Sequence, residues 1–103
     1  MRVRFTPGAE RQYLDVLRFL AERDPAGAAT IHRRTEEAVE VLREHRFAGH
    51  AIPEFADVPH RELSVTPYRL FYRVVDDTIW IVAYWHARQQ PERPAETSRL
   101  PEA

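Results

Sequence analysis

Arginine is the residue type with the most chemistry to offer in this sequence. All 15 basic side chains are arginine and none is lysine, set against 16 acidic residues and five histidines. A guanidinium presents a planar fork of donors that matches carboxylates and phosphates and stacks on aromatic rings. Two arginines stand in the alternating run Tyr68-Arg69-Leu70-Phe71-Tyr72-Arg73, which a strand sorts onto two faces. Asp76-Asp77 reads as a two-residue turn, so Val75 pairs with Thr78 and the remaining pairs follow by counting. One face then holds Tyr68, Leu70, Tyr72 and Val74 against Ile79, Ile81, Ala83 and Trp85, an apolar set that must be covered.

The other face holds Arg69, Phe71 and Arg73 against Trp80, Val82 and Tyr84, with His86 at its end and Arg88 just beyond. A turn at Thr66-Pro67 adds His60, Glu62 and Ser64 to it. Arg73 falls opposite Trp80 and Arg69 opposite Tyr84, which suits cation–π contacts. Arginine grouped with Phe, Trp and Tyr fits a phosphate backbone with unstacked bases, or the helix of a partner protein. The plainer alternative is a solvated face on which Glu62 neutralises the arginines. Arg69, taken as exposed on a strand, is expected to tolerate alanine with little loss of stability.

Other chemistries find no support. There is no cysteine, which removes disulfides and thiolate zinc sites. His32 and His45 are too far apart to share one helical face as metal ligands, and no His/carboxylate spacing matches a zinc motif. With three glycines there is no glycine-rich phosphate loop, so neither metal nor cofactor is expected. No apolar run nears the ~20 residues that span a bilayer. Met1-Arg2-Val3-Arg4-Phe5 alternates charge with apolar residues, unlike a secretion signal, and the expectation is a cytoplasmic protein without membrane contact.

The elements that must carry these residues are legible from caps and periodicity. Residues 2–6 alternate as a strand, and Thr6-Pro7 gives a helix start with threonine as cap. Ala9, Tyr13, Val16, Leu17 and Leu20 then share one face. Asp24-Pro25 starts a second helix to about Arg46, with the stripe Ala28, Ile31, Thr35, Ala38, Val39 and Leu42. Residues 47–59 read as a loop around Gly49, Pro53 and Pro59, followed by strands near 61–66, 68–75 and 78–86. The expected fold is α+β, ordered β-α-α-β-β-β, with a helical hairpin on one face of a small, mostly antiparallel sheet. Residues 1–90 form one domain in this reading, and 91–103 a polar tail containing Pro91, Pro94 and Pro101.

Several landmarks resemble one family. Phe5-Thr6-Pro7 with Ala9, then Gly49 and Ile52-Pro53-Glu54, then Arg61-Glu62-Leu63, are similar to successive features of RelE/ParE toxins. Tyr68 to Val74, Asp76-Asp77 and His86-Ala87-Arg88 complete a likeness over about residues 2–91. The resemblance implies the toxin of a type II toxin–antitoxin system, found as a hetero-oligomer with its antitoxin. ParE-like members inhibit DNA gyrase; RelE-like members cleave messenger RNA on the ribosome. Fold alone does not choose between them.

RNA cleavage needs a base, cations for the phosphorane charge and an acid for the leaving oxygen. The resemblance places Arg69 at the family arginine, but the lysines of the RelE-like set are missing and position 62 is Glu62. A second nuclease pattern in the family would use Glu54, Arg69 and His86, yet no tyrosine follows the histidine. The ParE-like branch asks for a binding surface alone, here Arg69, Arg73, Trp80, Tyr84, His86 and Arg88. A net charge of −1 also suits a protein target better than a ribosome. Gyrase inhibition is therefore the first expectation, with the endonuclease second and an inactive, antitoxin-binding family member third. Leu14, Phe19 and Val41 lie off their helices' core stripes and are the expected antitoxin contacts.

Overall fold

The computed structural model describes residues 1–94, so the expected tail lies outside the described residues beyond Pro94. In chain order it contains β1 (Arg2–Phe5), α1 (Pro7–Arg23), α2 (Pro25–Glu44), β2 (His50–Ala51), β3 (Arg61–Val65), β4 (Tyr68–Val75) and β5 (Thr78–His86). The five strands form one sheet in the order β1-β5-β4-β3-β2. β1 runs parallel to β5 and every other pair is antiparallel. This is the expected α+β order with one addition, the two-residue β2 inside the segment read as a loop. No helix among the described residues is long and apolar enough to cross a membrane.

Both helices start as their sequences dictate. Thr6 Oγ1 accepts from the Ala9 N–H at 3.2 Å, and Asp24 Oδ1 from the Gly27 N–H at 3.0 Å, each ahead of a proline at the first helical position. Asp24 also ends α1, its N–H donating to the Leu20 carbonyl at 2.6 Å. One residue thus serves both helices and fixes the hairpin. The hairpin buries Ala9, Tyr13, Ile31, Ala38, Val39 and Leu42 on the sheet's inner face, against Leu70, Tyr72, Ile79 and Ile81.

β5 carries a bulge that the sequence did not announce. Val75 pairs with Thr78, Val74 with Ile79, Arg73 with Trp80 and Tyr72 with Ile81, as the two-residue turn requires. Phe71 then pairs with Ala83, leaving Val82 as an extra residue on β5. Beyond that point each β5 side chain exchanges faces. Tyr84, expected on the outer face, is buried under the helices, while Ala83 and Trp85, expected in the core, face outward. Where β1 ends, Gln12 of α1 takes over the strand's open side, its Oε1 accepting from the Tyr84 N–H at 3.0 Å.

The outer face has a small core of its own. Ile52 and Val58, with Phe55 partly buried, pack on Phe71 and Ala83, so residues 52–58 fold across the sheet instead of looping into solvent. Gly49 makes that path feasible. It is buried, its N–H donates to Tyr72 Oη at 2.9 Å, and its carbonyl accepts from Arg61 Nε at 3.1 Å. A Cβ here would stand 2.8 Å from Tyr72 Cε1 and closer still to the Glu62 carbonyl oxygen.

Candidate functional site

Arg69 lies on the outer face, and both side chains it hydrogen-bonds there are acidic. Its Nε donates to Glu62 Oε2 at 2.6 Å; Nη1 and Nη2 donate to the two oxygens of Glu54 at 2.9 and 2.7 Å. The Glu54 contact is the parallel, two-bond fork that arginine makes best with a carboxylate. Pairing explains the placement. Arg69 is opposite Ser64, so Glu62, two residues earlier on β3, is its diagonal neighbour on the same face. Glu54 arrives in the 3-10 turn Pro53–Phe55, which the buried Ile52 pins to the sheet.

Burial grades the three groups. Side-chain exposure is 14% for Arg69, 7% for Glu62 and 34% for Glu54. Hydrogen bonding from Arg69 holds the Glu54 carboxyl below its ordinary value. Glu54 first and then Glu62 raise the Arg69 guanidinium above its already high one. Arg69 also lies over the Phe71 ring at 5.3 Å, and not over Tyr84 as the unbulged register implied. His50 Nε2 approaches the second oxygen of Glu62 at 3.7 Å from the exposed side. Two carboxylates around one guanidinium leave a local excess of negative charge when His50 is neutral. Such a cluster neither offers Arg69 to a phosphate nor welcomes one.

The residues proposed for catalysis do not converge. Glu54 and Arg69 touch, but His86 lies on the inner side of the sheet, its ring edge-on to Tyr68 at 5.3 Å between centroids. The bulge is the reason, since it moves residues 84 and 86 to the helix side together. His86 Nδ1 accepts from the Arg88 N–H at 3.0 Å, and the His86 N–H donates to Gln89 Oε1 at 2.8 Å. Its observed work is to close the turn after β5. Glu54 is also a weak base, because its proton affinity is already lowered by Arg69.

The expected target face is likewise split. Arg73 and Trp80 are cross-strand neighbours as expected, and Trp80 is buried with the Arg4 guanidinium 5.4 Å from its ring centroid. Arg88 is exposed. Tyr84 leaves the face altogether: its hydroxyl meets Thr35 Oγ1 at 2.9 Å inside the core. Arg69→Ala is no longer expected to be mild, because it would strand a buried carboxylate.

Leu14, Phe19 and Val41 are all exposed, but they do not make one patch. Phe19 borders a groove of about 490 Å³ with Val16, Tyr68, Tyr84 and His86. Val41 borders another, of about 370 Å³, with Ala38, Leu63 and Val65 between α2 and β3. No group of histidine and acidic residues among those described could hold a metal ion. The segment 52–58 is the part of the site that sequence reasoning missed. Its signal was the spacing of Ile52, Phe55 and Val58, which puts an apolar residue at every third position of a supposed loop.

Hairpin, mixed sheet and meander together define the RelE/ParE class of small α+β proteins. Residues 3–91 match the family model described as ParE toxin of type II toxin-antitoxin system, parDE, and the chain belongs to that family. Among solved structures it is similar to a chain of the chromosomal ParDE TA system from P. aeruginosa, at 21% identity and a TM-score of 0.67, over 84% of this chain and 95% of that one. A YoeB/ParE toxin from Agrobacterium tumefaciens is similar at 15% identity and a TM-score of 0.56, over 84% of this chain and 98% of that one. At these identities the likeness is one of fold. No curated protein matches.

Proposed function

We propose that this protein is a growth-arresting toxin, silenced by a cognate antitoxin, whose target is DNA gyrase. The observation that carries the reading is the clamp on Arg69. A ribonuclease of this class needs a cation free to meet the phosphorane, and the meander arginine is held by Glu54 and Glu62 at 2.6–2.9 Å. A separated His86, the lack of lysine and a net charge of −1 point the same way. Inhibition by binding requires none of these groups to be poised for chemistry. The antitoxin half of the proposal follows from family membership and from the similarity to a ParDE system. The exposed Phe19 and Val41, each at the rim of a separate groove, are the contacts proposed for it, with the exposed Leu14 of α1 as a third.

Purified toxin, tested in parallel against gyrase on relaxed plasmid and against ribosomes programmed with message, separates the two activities. Blocked supercoiling with intact message is the expected result. Codon-phased cuts with unaffected supercoiling would assign the endonuclease role and require Arg69 to leave its clamp on the ribosome.

A further inference from the structure

We infer that Phe47, with the guanidinium groups of Arg46 and Arg61 beside it, is a contact knob for the proposed target, seated in an apolar pocket of gyrase that carboxylates rim. The identity of the partner rests on the proposed function; the knob adds a contact outside the outer face and is read from exposure, charge and backbone. Phe47 is 59% exposed, more than Met1, Leu14, Phe19 or Val41. Two cations flank its ring: the Arg46 guanidinium lies 5.0 Å from the centroid and that of Arg61 5.5 Å. Among the described residues neither guanidinium is ion-paired, whereas Arg43 is held by Glu40, and Arg69 by Glu54 and Glu62.

The knob stands on a fixed backbone. His45 N–H donates to the Val41 carbonyl at 2.8 Å where α2 ends, and Ala48 N–H to the His45 carbonyl at 2.9 Å. From β3, Arg61 donates through Nη2 to the Phe47 carbonyl at 3.4 Å and through Nε to the Gly49 carbonyl at 3.1 Å. A side chain on a pinned backbone loses less freedom on docking, and aromatic and arginine side chains dominate the energy of protein interfaces. Phe47 lines neither of the grooves beside Phe19 and Val41, so it stands apart from the surface proposed for the antitoxin. A projecting ring needs its pocket on the partner, which a folded target offers and a peptide segment laid in a groove does not. Carboxylates at the pocket rim match the two cations. Nucleic acid matches less well: two guanidinium groups at one corner do not follow a run of phosphates, and a net charge of −1 supplies no pull.

Toxin binding to purified gyrase, with and without DNA, tests this beside antitoxin affinity and the thermal midpoint of free toxin. Phe47→Ala removes an exposed ring and should leave the midpoint and antitoxin affinity in place. Gyrase binding should weaken about tenfold or more, with or without DNA, and Phe47→Tyr should retain it. Arg46→Glu should weaken it too, most at low salt, where charges at the rim are least screened. Arg61 is left intact because it holds the backbone. Unchanged gyrase binding in both variants would overturn the knob and leave the proposed function standing. An equal loss of antitoxin binding would assign the ring to the antitoxin, and an effect seen only with DNA would assign it to nucleic acid; either result overturns the inference. Wild-type toxin that neither binds nor inhibits gyrase would overturn the inference and the proposed function together.

Discussion

Arg69 holds two carboxylates, and the more buried of them decides what replacing it will do. Arg69→Ala leaves Glu62 with its Oε2 unpaired at 7% side-chain exposure. Breaking one side of a buried ion pair costs about 3–5 kcal/mol when fully enclosed, and the partial exposure here brings the expectation to about 2–3 kcal/mol. Urea denaturation should show that loss, and adding Glu62→Gln should restore part of it. Glu54→Gln, on the solvent side, should cost no more than about 1 kcal/mol. Acid has a defined sign. Glu54 is bound more tightly as a carboxylate than it would be unfolded, so its contribution is complete above the ordinary glutamate range. It disappears as pH falls through the lowered folded value. Thermal midpoints should drop on acidification below about pH 4.5, and by less in Glu54→Gln. Loss of toxicity in Arg69→Ala therefore has to be read against the folded fraction.

Two elements carry the geometry that the sequence left hidden, and each makes a prediction. Gly49→Ala would push a Cβ into the Glu62 carbonyl and the Tyr72 ring, prising β2 from β3. A loss of about 1–3 kcal/mol is expected, the range for overpacking a tight site. The bulge at Val82 brings Tyr84 to Thr35, and burial pushes its hydroxyl up to about 12. A tyrosine neutral in the folded state beyond its unfolded value favours folding at lower pH. The Tyr84 contribution is therefore intact below pH about 10 and is lost between about 10 and 12. Absorbance at 295 nm should show one tyrosine fewer ionising near pH 10 in native protein than in denatured protein when compared with Tyr84→Phe. The helices were legible because Thr6-Pro7 and Asp24-Pro25 are local signals, and the hairpin register because Asp76-Asp77 fixes it. A bulge is different in kind: Val82 is an ordinary strand residue, and only packing of Tyr84 against α1 and α2 makes the extra residue favourable. The fold of 52–58 across the sheet was hidden for the same reason. Its apolar residues find their partners, Phe71 and Ala83, far along the chain.

At the scale of the molecule, one sheet presents two unlike faces. The inner one is consumed by the hairpin; the outer one is divided between a second small core and the clamped arginine. Acidic and basic groups nearly cancel in the whole chain, and around Arg69 carboxylates outnumber the guanidinium, so long-range attraction to nucleic acid is weak. The family could be read from the sequence because its landmarks lie on strands and turns that the structure reproduces. The site could be read only in part: Arg69 and Glu62 follow from alternation, whereas Glu54 reaches them through a fold of 52–58 whose apolar spacing does not name its distant partners, Phe71 and Ala83. The central claim is that this surface acts by binding gyrase and not by cutting RNA. Induced expression without antitoxin, with chromosomal DNA and bulk message scored in the same cells, tests it most directly. The account predicts DNA breaks, a DNA-damage response and intact message. Cleaved message with undamaged DNA would contradict it.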